Sequence, residues 1–140
     1  MREFSSGGPD RTEEVGEELV EIYGRDRIFC LFGPLAAGKT TLVKGIARGL
    51  GVTATIVSPS YVLLRQYEGD SPLFHLDLFR IQSSEEFVEA GLEEYLLQSR
   101  GTVAIEWADR IADILPQDRV DVELELIGEE DRRIKVQSAT

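Results

Sequence analysis

Cysteine occurs once in this chain, and so do histidine, methionine and tryptophan. A single thiol, Cys30, can form neither an intramolecular disulfide nor a cysteine-based zinc cluster. Its place in the apolar run Ile28-Phe29-Cys30-Leu31-Phe32 makes it a buried core thiol. Positive charge is also scarce: 15 Lys and Arg stand against 26 Asp and Glu, a formal charge of −11 over 140 residues. That balance speaks against a broad face gripping nucleic acid or anionic membrane, because such binding is driven by Lys and Arg. No window approaches the ~20 apolar residues of a membrane span. Met1-Arg2-Glu3-Phe4 leads into Ser, Gly and acidic residues instead of the apolar stretch of a signal peptide. The expectation is a cytoplasmic chain with no membrane contact and one domain over residues 1–140. With 42% hydrophobic and 29% charged residues, it is too apolar for disorder and ordinary for a packed core.

The scarce positive charge is concentrated. Between Arg25 and Gln66 lie Arg25, Arg27, Lys39, Lys44, Arg48 and Arg65 with one acid, Asp26, so this stretch carries +5 and the remainder −16. A basic island in an acidic chain points to an anionic ligand held locally.

Periodicity supplies a coarse order of elements. The first dozen residues read as a loose lead-in. Asp10 or Thr12 caps a helix to about residue 23, with Val15, Leu19 and Ile22 inward and Glu13, Glu14, Glu17, Glu18 and Glu21 outward. Residues 27–32 have the length and apolar density of a buried strand. A turn over 33–38 leads to a helix over 39–50, closed by Gly49 and Gly51. Strands are expected at 55–57, 61–67 and 73–78, then a helical pair over 84–98 broken near Gly91. A strand at 102–107, a short helix at 109–115, and a hairpin of 120–126 with 133–136 complete the chain. Helices interspersed with strands predict a three-layer α/β domain whose partly parallel sheet has antiparallel edge strands.

Gly33-Pro34-Leu35-Ala36-Ala37-Gly38-Lys39-Thr40 fits G-x-x-x-x-G-K-[ST], a match that arises by chance in a chain this long on the order of once in a hundred or less. An apolar strand before it and a helix after it supply the context the motif requires. Backbone N–H groups of the loop and first helical turn then point at phosphates, where the helix dipole favours negative charge. Lys39 is expected to reach the β- and γ-phosphates, Thr40 to ligate Mg²⁺, and Thr41 to contact the α-phosphate. The metal and the attacking water call for carboxylates. Two stand at strand ends: Glu106 after Val103-Ala104-Ile105, in the form of a Walker B segment, and Asp77 within Phe74-His75-Leu76-Asp77-Leu78-Phe79-Arg80. Glu106 is assigned to Mg²⁺ through water and Asp77 to the metal or the attacking water; the reverse division fits the sequence equally. His75 either supports Asp77 or fills a satisfied core position, the more favoured role. Arg80 contacts phosphate or forms an ion pair, and Trp107 packs beside the site or in the core.

Absences narrow the nucleotide. The chain has no N-K-x-D and no D-x-x-G, which a GTPase needs, and no L-S-G-G-Q-type transporter signature. Residues 84–98 hold five Glu and no Arg or Lys, unlike the Arg-rich lid of a small-molecule kinase. ATP is therefore expected by elimination. A small kinase and a nucleotide-gated binding module without useful turnover remain the alternatives.

With these residues assembled, nearly the whole chain resembles the TsaE family, formerly YjeE. The resemblance rests on the loop with Thr41-Leu42, Ser58-Pro59-Ser60-Tyr61, His75-Leu76-Asp77-Leu78-Phe79-Arg80, Gly91-Leu92-Glu93-Glu94-Tyr95, Ile105-Glu106-Trp107 and Leu115-Pro116. It implies a P-loop nucleoside triphosphate hydrolase fold that binds and hydrolyses MgATP, weakly alone. It also implies work with TsaB and TsaD, which install threonylcarbamoyl on a bacterial tRNA adenosine and hold most of the tRNA. By the same resemblance Lys39 and Thr40 match phosphate and metal residues, Asp77 an essential aspartate and Glu106 a Mg²⁺-associated glutamate. Thr12 and Arg132 match residues near the nucleotide, and residues 58–60 a switch-like loop. The family loop usually reads G-D-L-G-A-G-K-T. Pro34 and Ala36 depart from it, and Ala36 stands where a glycine can take positive φ at low cost. Ser60 and Val62 replace Thr residues.

Overall fold

A computed structural model of the chain describes residues 1–58, 63–97 and 101–138. Helix α1 (Pro9–Tyr23) opens on a proline, whose fixed φ and missing N–H suit a first helical turn. Asp10 is thus not its cap, and neither is Thr12. Thr12 lies buried inside the first turn, its hydroxyl 2.8 Å from that of Ser6. Val15, Leu19 and Val20 are buried while Ile22 stays exposed. Strand β2 (Ile28–Phe32) runs into the loop, and helix α2 (Lys39–Gly49) leaves it. The remaining elements are β3 (Leu64–Tyr67), β4 (Leu73–Asp77), α3 (Ser84–Glu89), α4 (Glu94–Leu97), β5 (Thr102–Glu106), a 3₁₀ segment (Ala108–Ile114), β6 (Val120–Leu126) and β7 (Arg132–Ser138).

Two strand expectations change as well. Arg2–Ser6 is not a loose lead-in but strand β1, paired antiparallel to β7 with Phe4 opposite Ile134. Its residues carry almost no apolar alternation, so its conformation is set by hydrogen bonds to a strand distant in sequence. Conversely, residues 55–57 form no strand. Val57 instead donates its N–H to the Tyr67 hydroxyl at 3.2 Å. Residues 59–62, including the expected start of the strand before β4 and most of the switch-like loop, lie outside the described residues, as does Gln98.

Among the described residues the sheet has seven strands in the order β1-β7-β6-β2-β5-β4-β3. Strands β6, β2, β5 and β4 are parallel, and β1, β7 and β3 pair antiparallel at the edges. Period-two alternation divides the core. Phe29 and Leu31 of β2 pack with α1 and α2, while Ile28 and Cys30 pack with α3, α4 and the 3₁₀ segment. The result is the expected three layers. Gly16 and Gly45 let α1 and α2 touch backbone to backbone: a Cβ at Gly45 would overlap the Glu13 carbonyl oxygen. That close crossing places the start of α2 beside the C-terminal ends of β2, β5 and β4.

Candidate functional site

The sharp turn between β2 and α2 demands unusual backbone. Gly38, the residue before α2, has φ 102°, and Ala36 has φ 67°, the left-handed conformation that an alanine takes only against steric resistance. The loop carbonyls draw in the Lys39 ammonium, which donates to Gly33 O at 2.6 Å and Pro34 O at 2.9 Å. The same ammonium lies 4.0 Å from the centre of the Trp107 ring, a cation–π arrangement. Burial lowers the Lys39 pKa below the ordinary lysine range, while Glu106, Asp77 and Asp109 act in the opposite sense.

Strand register supplies the acids. Asp77 is the last residue of β4, Glu106 the last of β5, and they are direct partners across the parallel pair. Both are nearly buried. The Thr40 hydroxyl lies 2.8 Å and 3.0 Å from the two Glu106 carboxylate oxygens. Asp77 accepts the Phe79 N–H at 3.0 Å and the Ser58 hydroxyl at 3.1 Å. A cavity of about 440 Å³ spans these groups, lined by Leu35 through Thr41, Ser58, Asp77, Phe79, Arg80, Glu106 and Trp107. That volume is within the ordinary size range of ligand pockets.

Thr12 and Arg132 sit apart from this cavity. They line an adjoining one of about 220 Å³ on the far side of the loop, with Gly8, Pro9, Ala36–Gly38, Thr41, Glu129 and Glu130. Arg132 donates to Ala36 O at 3.2 Å and also to Gly128, Glu129 and Asp131 carbonyls, tying the β6–β7 turn to the loop. The expected residues thus fall into two neighbouring groups: Lys39, Thr40, Asp77 and Glu106 in one, Thr12 and Arg132 in the other, with the loop between.

His75 is buried, as its favoured core role has it, but the carboxylate it meets is a different one. It faces Glu106, not Asp77, with Nε2 2.6 Å from Oε2. The register puts His75 opposite Ala104, so Glu106 is two residues along on the same face. Ser58, expected only as part of a switch-like loop, is a partner of Asp77. Nothing local marks a serine 19 residues from its carboxylate partner, and only its place in the Ser58-Pro59-Ser60-Tyr61 block hinted at it.

A family model described as threonylcarbamoyl adenosine biosynthesis protein TsaE matches residues 7–134. The chain belongs to the TsaE family. The TsaE of Treponema pallidum (strain Nichols) is 40% identical over 136 residues, covering 97% of this chain and 99% of the relative. That of Bacillus subtilis (strain 168) is 34% identical over 127 residues, covering 90% and 78%. The crystal structure of Bacillus subtilis YdiB superposes with a TM-score of 0.82 at 29% identity, over 99% of this chain and 86% of that one. The TsaE-family chain therefore has the expected α/β P-loop fold and is a protein of tRNA threonylcarbamoyladenosine biosynthesis. Among the described residues, no helix is long and apolar enough to cross a membrane.

Proposed function

We propose that the chain is a P-loop ATPase that binds and hydrolyses MgATP as an accessory component of bacterial tRNA N6-threonylcarbamoyladenosine formation. The observation that carries this is the meeting of Lys39, Thr40, Asp77 and Glu106 around one cavity at the mouth of the loop. ATP is the nucleotide by elimination, and the loop N–H groups with Lys39 are the triphosphate cradle.

The residues fit Mg²⁺. A threonine hydroxyl and two carboxylates are hard oxygen donors, and Mg²⁺ commonly takes one or two carboxylates while substrate phosphates and water fill the rest of its shell. Held by Thr40 and Glu106, such a cation would offset the negative charge that develops on the phosphates. In this reading Thr40 and Glu106 face the cation, and Asp77 orients the attacking water. Lys39 exchanges its Gly33 and Pro34 carbonyls for phosphate oxygens. Phe79 N–H and Ser58 hold Asp77 in place. Thr12 and Arg132 border the nucleoside side of the loop.

The partners in this reading are TsaB and TsaD, with tRNA held mainly by them; a chain of net charge −11 suits a protein partner better than a polyanion. The place of work is the cytoplasm. The test is reconstituted threonylcarbamoyl transfer with and without this chain, together with Lys39→Ala. Dependence on the chain, and weakened ATP binding in the variant, are expected. Repeated turnover without it would remove the biological role, and unchanged ATP affinity in Lys39→Ala would remove the site assignment. A phosphorylated small-molecule acceptor would make the chain a kinase instead.

A further inference from the structure

His75 is the chain's only histidine and is fully buried on β4. One ring nitrogen, Nε2, meets the Glu106 oxygen Oε2 that also lies against the Thr40 hydroxyl. The other, Nδ1, is buried with no hydrogen-bond partner among the described residues. This asymmetry selects a tautomer. A neutral ring carrying its proton on Nδ1 would leave a buried N–H with no acceptor, the rarer and costlier defect. The Nδ1–H form would also aim the Nε2 lone pair at a carboxylate oxygen. The Nε2–H tautomer donates to Glu106 and leaves only an acceptor unpaired.

We propose that His75 is a positioning residue for the nucleotide-bound cation: its Nε2–H holds Oε2 of Glu106 so that the carboxylate stays aimed at Thr40. This rests on the MgATP assignment above. Among the described residues the Glu106 carboxylate has two side-chain tethers, His75 and Thr40. With the Thr40 oxygen given to a cation, the His75 bond would be left to restrain a glutamate that has several rotatable bonds. Hydrogen-bonded supports of this kind commonly set metal affinity without touching the metal. The chain separation of 31 residues is closed by β4–β5 pairing, which puts both side chains on one face.

Two measurements test this. In wild-type protein with ¹⁵N-labelled histidine, the imidazole spectrum contains one residue. Nε2 protonated and Nδ1 bare is expected; a proton on Nδ1 would overturn the proposal whatever any variant does. Second, calorimetry measures binding of a non-hydrolysable ATP analogue with Mg²⁺ and with EDTA for wild type, His75→Leu and His75→Gln. His75→Leu should leave affinity in EDTA within about 2-fold and cut the Mg²⁺ enhancement by about 10-fold or more. His75→Gln, whose amide can donate from near the Nε2 position, should restore most of it. A purely structural histidine would weaken both conditions together and gain nothing from glutamine. Wild-type linkage that survives intact in His75→Leu removes the His75 role alone. Absence of Mg²⁺ enhancement in wild type removes the MgATP assignment and this proposal with it.

Discussion

Two adjacent alanines in the loop should respond to the same substitution with opposite signs. Ala36 holds φ 67°, and left-handed backbone costs an L-residue roughly 1–2 kcal/mol. Glycine removes that strain but enlarges the unfolded ensemble, which costs about 0.4–1 kcal/mol. Ala36→Gly should therefore stabilise the nucleotide-free chain by about 0.5–1 kcal/mol, or about 2–4 °C in Tm for a domain of this size. The Ala36 side chain is exposed, so no buried methyl is lost. Ala37, the next residue, is fully buried, and its φ is not positive. Ala37→Gly loses about 0.8 kcal/mol of methyl burial and adds the glycine entropy cost, a destabilisation of about 1–2 kcal/mol. Urea denaturation of the two variants beside wild type reads the difference directly. Equal destabilisation by both would refute the argument that the loop stores strain at Ala36. A stabilised Ala36→Gly chain whose ATP affinity also rose would show that the strain opposes the nucleotide-bound loop as well.

Gly45→Ala should destabilise by about 2 kcal/mol or more: helix propensity favours alanine by about 1 kcal/mol, but the new methyl overlaps backbone of α1 at Glu13. Thermal unfolding checks this, and an unchanged Tm would mean that α1 and α2 separate freely. Asp77→Asn should lower ATP turnover with TsaB and TsaD by about 10²-fold or more while nucleotide affinity stays within a few-fold; lost affinity with turnover intact at saturation would reverse the roles of Asp77 and Glu106. Burial raises the Cys30 thiol from 9.0 to about 12, so at pH 8 its thiolate fraction is about 10⁻⁴. Iodoacetamide should leave it unmodified in the folded chain and label it in urea. Because the unfolded thiol ionises first, this group also lowers stability as pH rises from 9.0 toward about 12, an effect absent in Cys30→Ala.

Much of the site was legible because its parts are local. A glycine-lysine-threonine turn between an apolar strand and a helix carries its own mechanics, and an acid closing an apolar strand marks the end of that strand. Ala36 was readable for the same reason: positive φ is a property of one residue, and the structure has it. The β1 strand was not legible, since Arg2–Ser6 is polar and takes its form from β7. Residues 55–57 misled in the opposite way. Their β-branched composition favours extension, but Tyr67 supplies the partner for Val57 N–H that a neighbouring strand would have supplied.

Sequence by itself determined the glycine-lysine-threonine loop, the layered α/β class, the two strand-end carboxylates, and the charge division that puts a +5 stretch inside an acidic chain. These follow from short-range spacing, from period-two and helical patterning, and from composition. Tertiary structure alone decided which acid meets which partner. Parallel pairing of β4 with β5 in one register brings Asp77 beside Glu106 and turns His75 toward the latter. A slip of one residue would send those side chains to the opposite face. The identity of Glu106 as the acid held by Thr40 and His75 is therefore a consequence of strand register, which no local pattern in the chain encodes.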